Sequence, residues 1–110
     1  MIKSVNIEEA AELIKANDDI QLLDTRSDME VEVTGIIEGS ILVDIVNNHN
    51  FDKIISNLDK EKKYLIYCAS GERSGLLSMY MDKNGFLKIY NLKNAGYSQL
   101  AMALKDIKKG

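Results

Sequence analysis

Apolar residues recur along this chain with two alternating periods. Ile7, Ala10, Ala11 and Ile14 sit at helical spacing behind Asn6. Asn6 has Glu9 three positions on, the arrangement of a capping box, which predicts a helix start there. "DIQLLD" at 19–24 and "GSILVDI" at 39–45 are short apolar runs that suit buried strands. Phe51, Ile54, Ile55 and Leu58 are spaced i, i+3, i+4, i+7 and predict a helix. "KYLIYC" at 63–68 predicts the next strand. Leu76, Leu77, Tyr80 and Met81 predict a helix that Asn84 and Gly85 end. "LKIYNL" at 87–92 reads as a last strand, and Tyr97, Leu100, Ala101 and Leu104 as a last helix. "SVN" at 4–6 suits a short first strand. Strands alternating with helices imply an α/β fold with parallel pairing and helices on both faces of the sheet. Sites in such sheets lie beyond the carboxyl ends of the strands.

Composition narrows this picture. A chain of 110 residues, 45% hydrophobic, is the size of one domain around one core, here expected to span 1–110. Fourteen Lys and Arg against 17 Asp and Glu give a net charge of −3, which supplies no reason to expect nucleic-acid or anionic-membrane partners. No apolar run approaches the roughly 20 residues of a membrane span. The opening "MIKSVNIEEAAEL" carries acids where a signal peptide has its apolar core, so a cytoplasmic location is expected. One cysteine cannot form an intramolecular disulfide or a multi-cysteine zinc site. The chain has no proline, and Gly and Asn punctuate it instead.

The single cysteine, Cys68, falls at the end of a predicted strand. The loop "CASGER" at 68–73 follows, with a helix expected from about Ser74. A tight turn helped by Gly71 can aim several backbone N–H groups at one point, and a helix N-terminus adds partial positive charge. Arg73 adds a full one. Together these favour a thiolate, the nucleophilic form, and the same cradle would hold an anionic substrate. Glu72 opposes this unless its carboxylate faces solvent. The rival reading is a cysteine that serves as a small buried hydrophobe. Gly71, Arg73 and the following helix at these offsets favour the nucleophile.

The neighbours have structural readings beside functional ones. Ser74 suits a helix cap. Asp24 and Arg26 brace a strand end, with Glu30 a partner for Arg26, while Arg73 is expected to act with Cys68 as a catalytic residue, tying down the loop through its carbonyls or Asp24 and shaping the field at the sulfur. His49, the only histidine, reads as a solvated loop residue. Met79, Met81 and Met102 read as core and surface filler. The lysine-rich tail at 105–109 reads as a solvated helix end.

"YCASGERS" at 67–74 resembles the active-site loop of rhodanese-type sulfurtransferases, C-x-x-G-x-R followed by a small residue. "LLDTR" at 22–26 is similar to that family's Asp-x-Arg strand end. The stretch from Glu30 to Ile45 and "IYNLKNAGYSQL" at 89–100 resemble two further family segments, in the same order. Ile36 stands where the family usually has His, Glu38 where it has Pro, and Asn94 and Ala95 where it has glycine.

The resemblance implies a rhodanese-like three-layer fold with a central, mainly parallel five-stranded sheet. It implies that Cys68 attacks the outer sulfur of thiosulfate or of a persulfidated protein or small molecule. A thiol or cyanide then removes that sulfur from the resulting persulfide. Backbone N–H groups from Ala69, Ser70, Gly71, Glu72, Arg73 and Ser74 would steady the terminal sulfur. No metal or organic cofactor is implied. The loop is Cys-x4-Arg, one residue shorter than the Cys-x5-Arg loop of the phosphatases that share the fold, which favours sulfur over phosphate. A persulfide relay acting with a protein partner and a non-catalytic binding module are the alternatives.

Overall fold

The computed structural model describes residues 1–108, with side chains described through Lys105. Five strands form one sheet: β1 (Ile2–Val5), β2 (Gln21–Asp24), β3 (Ile41–Leu42), β4 (Lys63–Tyr67) and β5 (Lys88–Leu92). Their order is β1-β5-β4-β2-β3, and every pairing is parallel. Five helices connect or follow them: α1 (Ile7–Ala16), α2 (Asp28–Thr34), α3 (Phe51–Ser56), α4 (Glu72–Lys83) and α5 (Tyr97–Lys108).

Side-chain alternation on the central strands builds a core on each face. On β4, Leu65 and Tyr67 join Leu22, Leu92, Leu100 and Leu104 against α1 and α5. The intervening Tyr64 and Ile66 join Leu23, Ile55, Leu77 and Met81 against α3 and α4. A strand buried on both faces reads as a continuous apolar run, which is why "YLIY" carries no polar residue. The three-layer α/β architecture implied above is present.

The expected elements appear with changed limits. Asn6 and Glu9 form the capping box of α1, with Glu9 N–H donating to Asn6 Oδ1 at 2.8 Å. The run at 39–45 yields a strand of only two residues. The chain leaves the sheet because buried Asp44 accepts N–H bonds from Val46 and Asn47 and folds the segment into a turn. α2 is an unpredicted helix. Its sequence "DMEVEVT" leaves Met29 and Val33 exposed and buries no side chain, so it carries no core-facing periodicity. Ser27 and Glu30 nevertheless make a second capping box, a start signal that was available in the sequence.

Met81 is buried while Met79 and Met102 are exposed, and His49 lies exposed before α3. Of the lysine-rich tail, Lys105 is exposed. The side chains at 106–108 and the whole of Lys109 lie outside the described residues. Among the described residues, no helix is long and apolar enough to cross a membrane.

Candidate active site

Cys68 follows the last residue of β4, at the carboxyl end of the sheet's middle strand. Asp24 ends the neighbouring β2 opposite Tyr67, so topology brings it within one residue of Cys68. The chain turns sharply after Cys68. Gly71 takes a left-handed φ of 102° and is the N-cap of α4, whose first residue is Glu72. The helix therefore starts two residues before Ser74, and Ser74 does not cap it. Its hydroxyl donates to the Gly71 carbonyl at 3.3 Å and lies 3.7 Å from Cys68 Sγ.

Cys68 is 1% exposed, so it is buried at the base of its loop. Ala69 and Ser70 form the exposed part of the loop, and the thiol lies beneath them. Burial is the largest single influence on this thiol and pushes its pKa up. The backbone N–H groups of Ser74, Ser70 and Gly71 and the Ser74 hydroxyl pull the other way. Their sum prevails, and the pKa lies below that of an ordinary thiol. Gly71 N–H donates to Sγ at 2.9 Å. This is a cradle of donors at a helix start, and it stabilises a negative sulfur.

The two arginines have partners other than those expected. Arg26, not Arg73, pairs with Asp24. Its Nε donates to both carboxylate oxygens at 3.1 Å and its Nη2 to Oδ2 at 2.9 Å, with both residues buried. The same guanidinium donates to Thr34 Oγ1 and to the Gly35 carbonyl, and stacks 3.8 Å over the Tyr97 ring. Adjacent sequence positions decide this: Arg26 N–H also bonds Asp24 Oδ1, holding both in one compact turn. Arg73 instead forms a two-pronged ion pair with Glu30, at 2.8 and 3.1 Å. The Arg73 bonds are the first cause of Glu30's pKa being lowered to about 2. Arg73's positive charge is therefore largely answered by Glu30, and the thiolate is stabilised chiefly by backbone N–H groups. Glu72 is exposed, as a negative residue in this loop must be.

A second turn supports the loop from below. Tyr97 N–H, at the start of α5, donates to the Cys68 carbonyl at 2.8 Å. Gly96 permits that approach, because a Cβ there would lie 1.9 Å from the Ala69 carbonyl oxygen. Asn94 takes a left-handed φ of 61° in the same turn, at a position where glycine was the usual residue; Asn tolerates that geometry. A cavity of about 400 Å³ opens beside the loop. Ala69, Arg26 and Glu30 line it, with Met29, Val33 and Tyr97 as apolar walls. A larger cleft of about 490 Å³ lies against α1 and β5 and is lined by none of the loop residues. Sequence reasoning missed α2's part in the site, because that helix contributes its walls from exposed rather than buried positions.

A parallel α/β sheet with a low-pKa cysteine in a donor-lined loop defines a class of thiol-centred domains. The Rhodanese-like domain family matches residues 6–102, and the chain belongs to that family. The putative sulfurtransferase YtwF of Bacillus subtilis is 32% identical over 85 residues, covering 77% of this chain and 79% of that one. The tRNA uridine(34) hydroxylase of Pelagibacter ubique is 33% identical over 91 residues, covering 83% of this chain and 29% of the hydroxylase. The chain thus spans under a third of that relative's length. Among solved structures, a rhodanese-related protein from Thermoplasma volcanium superposes with a TM-score of 0.70 at 28% identity, covering 98% and 93% of the two chains. Because relatives are named for tRNA, the net charge of −3 does not exclude a nucleic-acid partner.

Proposed function

We propose that the protein is a sulfurtransferase that carries sulfane sulfur on Cys68. The observation that carries this reading is the cradle of N–H groups around a buried, low-pKa thiol at the start of α4. The Cys68 thiolate attacks the outer sulfur of a donor, either thiosulfate or a persulfide. A new S–S bond forms on Cys68 as the donor's S–S bond breaks. The electron pair leaves with sulfite or with the donor's thiolate. Cyanide or an acceptor thiolate then attacks the terminal sulfur and restores the Cys68 thiolate. The backbone donors that hold the thiolate hold the persulfide's charge by the same means. Arg73 and Glu30 fix the helix start against α2, while Asp24 and Arg26 fix the end of β2. These four are positioning residues.

The reading is tested by intact mass after incubation with each donor, with Cys68→Ser alongside. The expected result is a gain of one sulfur atom, absent from the variant and removed by cyanide. No gain from thiosulfate, a small alkyl persulfide or a persulfidated cysteine desulfurase would refute it, and a non-catalytic binding module would take its place.

A further inference from the structure

α4 presents an apolar seam to solvent. Its inner side packs on β1, β4 and β5, where Leu77 and Met81 enter the core. Its outward side carries Glu72, Leu76, Met79 and Lys83, all exposed. They are spaced i, i+4, i+7, i+11, the spacing of a seam along which two helices pack. Leu76 is 62% exposed and Met79 55%. The helix dipole accounts for an acid in the first turn and a lysine in the last. It does not account for two large apolar side chains between them. Among the described residues, no ion pair holds Glu72 or Lys83.

This stripe is its own complement when reversed. Laid antiparallel on a copy of itself, the register that faces Glu72 with Lys83 also faces Leu76 with Met79. A two-fold axis repeats both contacts, so two opposite-charge pairs flank four apolar side chains. In-register parallel pairing would instead face Glu72 with Glu72 and Lys83 with Lys83, and like charges repel. From Glu72 to Lys83 a helix runs about 17 Å, so the whole seam lies within α4.

We infer that the Glu72–Leu76–Met79–Lys83 stripe of α4 is a self-association surface, on which a second copy of this chain docks antiparallel across a two-fold axis. Four side chains per copy bury less than the roughly 1,200–2,000 Å² of a standard interface, so the dimer is weak and depends on concentration. Glu72 follows Gly71 in the cysteine loop, so pairing brings Lys83 of the second copy to the edge of that loop. Nothing in this pairing requires the Cys68 chemistry proposed above.

Sedimentation equilibrium of the full chain up to about 1 mM tests this, the range in which so small a contact associates. The wild-type mass is expected to climb from 12.3 kDa toward twice that value. Leu76→Ser/Met79→Ser is expected to weaken association at least about tenfold. Glu72→Lys faces lysine with lysine, and Lys83→Glu faces glutamate with glutamate, so each alone is expected to stay monomeric. Mixed in equal amounts, these two are expected to dimerise, because both contacts of the mixed pair then join a lysine to a glutamate. All four positions are exposed, so the variants keep the fold, which far-UV circular dichroism checks. A wild type that stays monomeric would overturn the inference. So would a dimer that Leu76→Ser/Met79→Ser leaves unchanged, a single charge-reversed variant that dimerises like wild type, or a mixture that stays monomeric.

Discussion

Gly96→Ala is a demanding test of how the loop is held. The added methyl carbon would lie 1.9 Å from the Ala69 carbonyl oxygen, 2.3 Å from its carbon and 2.6 Å from the Cys68 carbonyl oxygen. All three are backbone atoms, so no side chain can swing aside. Ordinary contact begins near 3.4 Å, so the Ala69 peptide must retreat by about 1.5 Å or the α5 turn must lift away. Gly96 has no left-handed φ, so the whole effect is steric. Either movement breaks the 2.8 Å bond from Tyr97 N–H to the Cys68 carbonyl and shifts the N–H cradle relative to the sulfur. A misplacement of about 1 Å can cost about 10²-fold in rate, and overpacking of this kind costs about 1–3 kcal/mol. For a chain of this size that is roughly 4–20 °C in Tm. The assay is the persulfidation rate of Cys68 beside a thermal melt. Wild-type values for both would refute the account of Gly96 as the residue that lets α5 brace the loop.

Three further expectations follow from the site's electrostatics. Glu30 has its pKa lowered from 4.5 to about 2, so its ion pair contributes stability that is present above pH 4.5 and is lost as pH falls toward 2. The Tm advantage of wild type over Glu30→Gln should shrink across that window, and a constant difference would contradict it. Arg26→Ala leaves Asp24 buried and unpaired and should cost about 3–5 kcal/mol in urea denaturation. Removing the part-exposed Arg73 should cost only about 0.2–1 kcal/mol by the same measurement, and the reverse order would refute the burial argument. The pH profile of Cys68 alkylation should have its midpoint below that of an ordinary thiol, and Ser74→Ala should move it upward. A midpoint that stays put in Ser74→Ala would remove the hydroxyl from the cradle.

Cys68→Ser should cost little stability, which a thermal melt beside wild type checks. The residue is buried rather than accessible, but the serine oxygen enters a ring of N–H donors that it can accept from.

The sequence made the sheet and the nucleophile's position legible because both depend on local patterns. β4 is an unbroken apolar run from Tyr64 to Tyr67, β2 and β5 carry shorter apolar pairs at Leu22–Leu23 and Ile89–Tyr90, and the Cys68 loop sits where the β4 run leads into a glycine turn. What stayed hidden depends on contacts between distant positions. Arg73 and Glu30 are 43 residues apart, and nothing in their spacing shows that they pair. Arg26 and Asp24 are neighbours whose pairing was available, yet Glu30 looked equally placed for Arg26. α2 escaped because amphipathic reading finds helices that bury a face, and this one buries none. The shortness of β3 turned on the Asp44 side chain competing for the backbone, a choice that the apolar run around it conceals.

The strand order bears on how the chain is made. β1 pairs with β5 alone, from Ile2 opposite Ile89 to Val5 opposite Leu92, and α1 packs on α5. During synthesis β1 must therefore wait until everything between it and β5 has been made before it has a partner. At about 5–20 residues per second, that wait is on the order of ten seconds. During it, Val5, Ala10 and Leu13 have no sheet to cover them. Within this fold the β1–α1 segment is thus the piece left longest without its partner during synthesis, although it lies far along the chain from the cysteine loop.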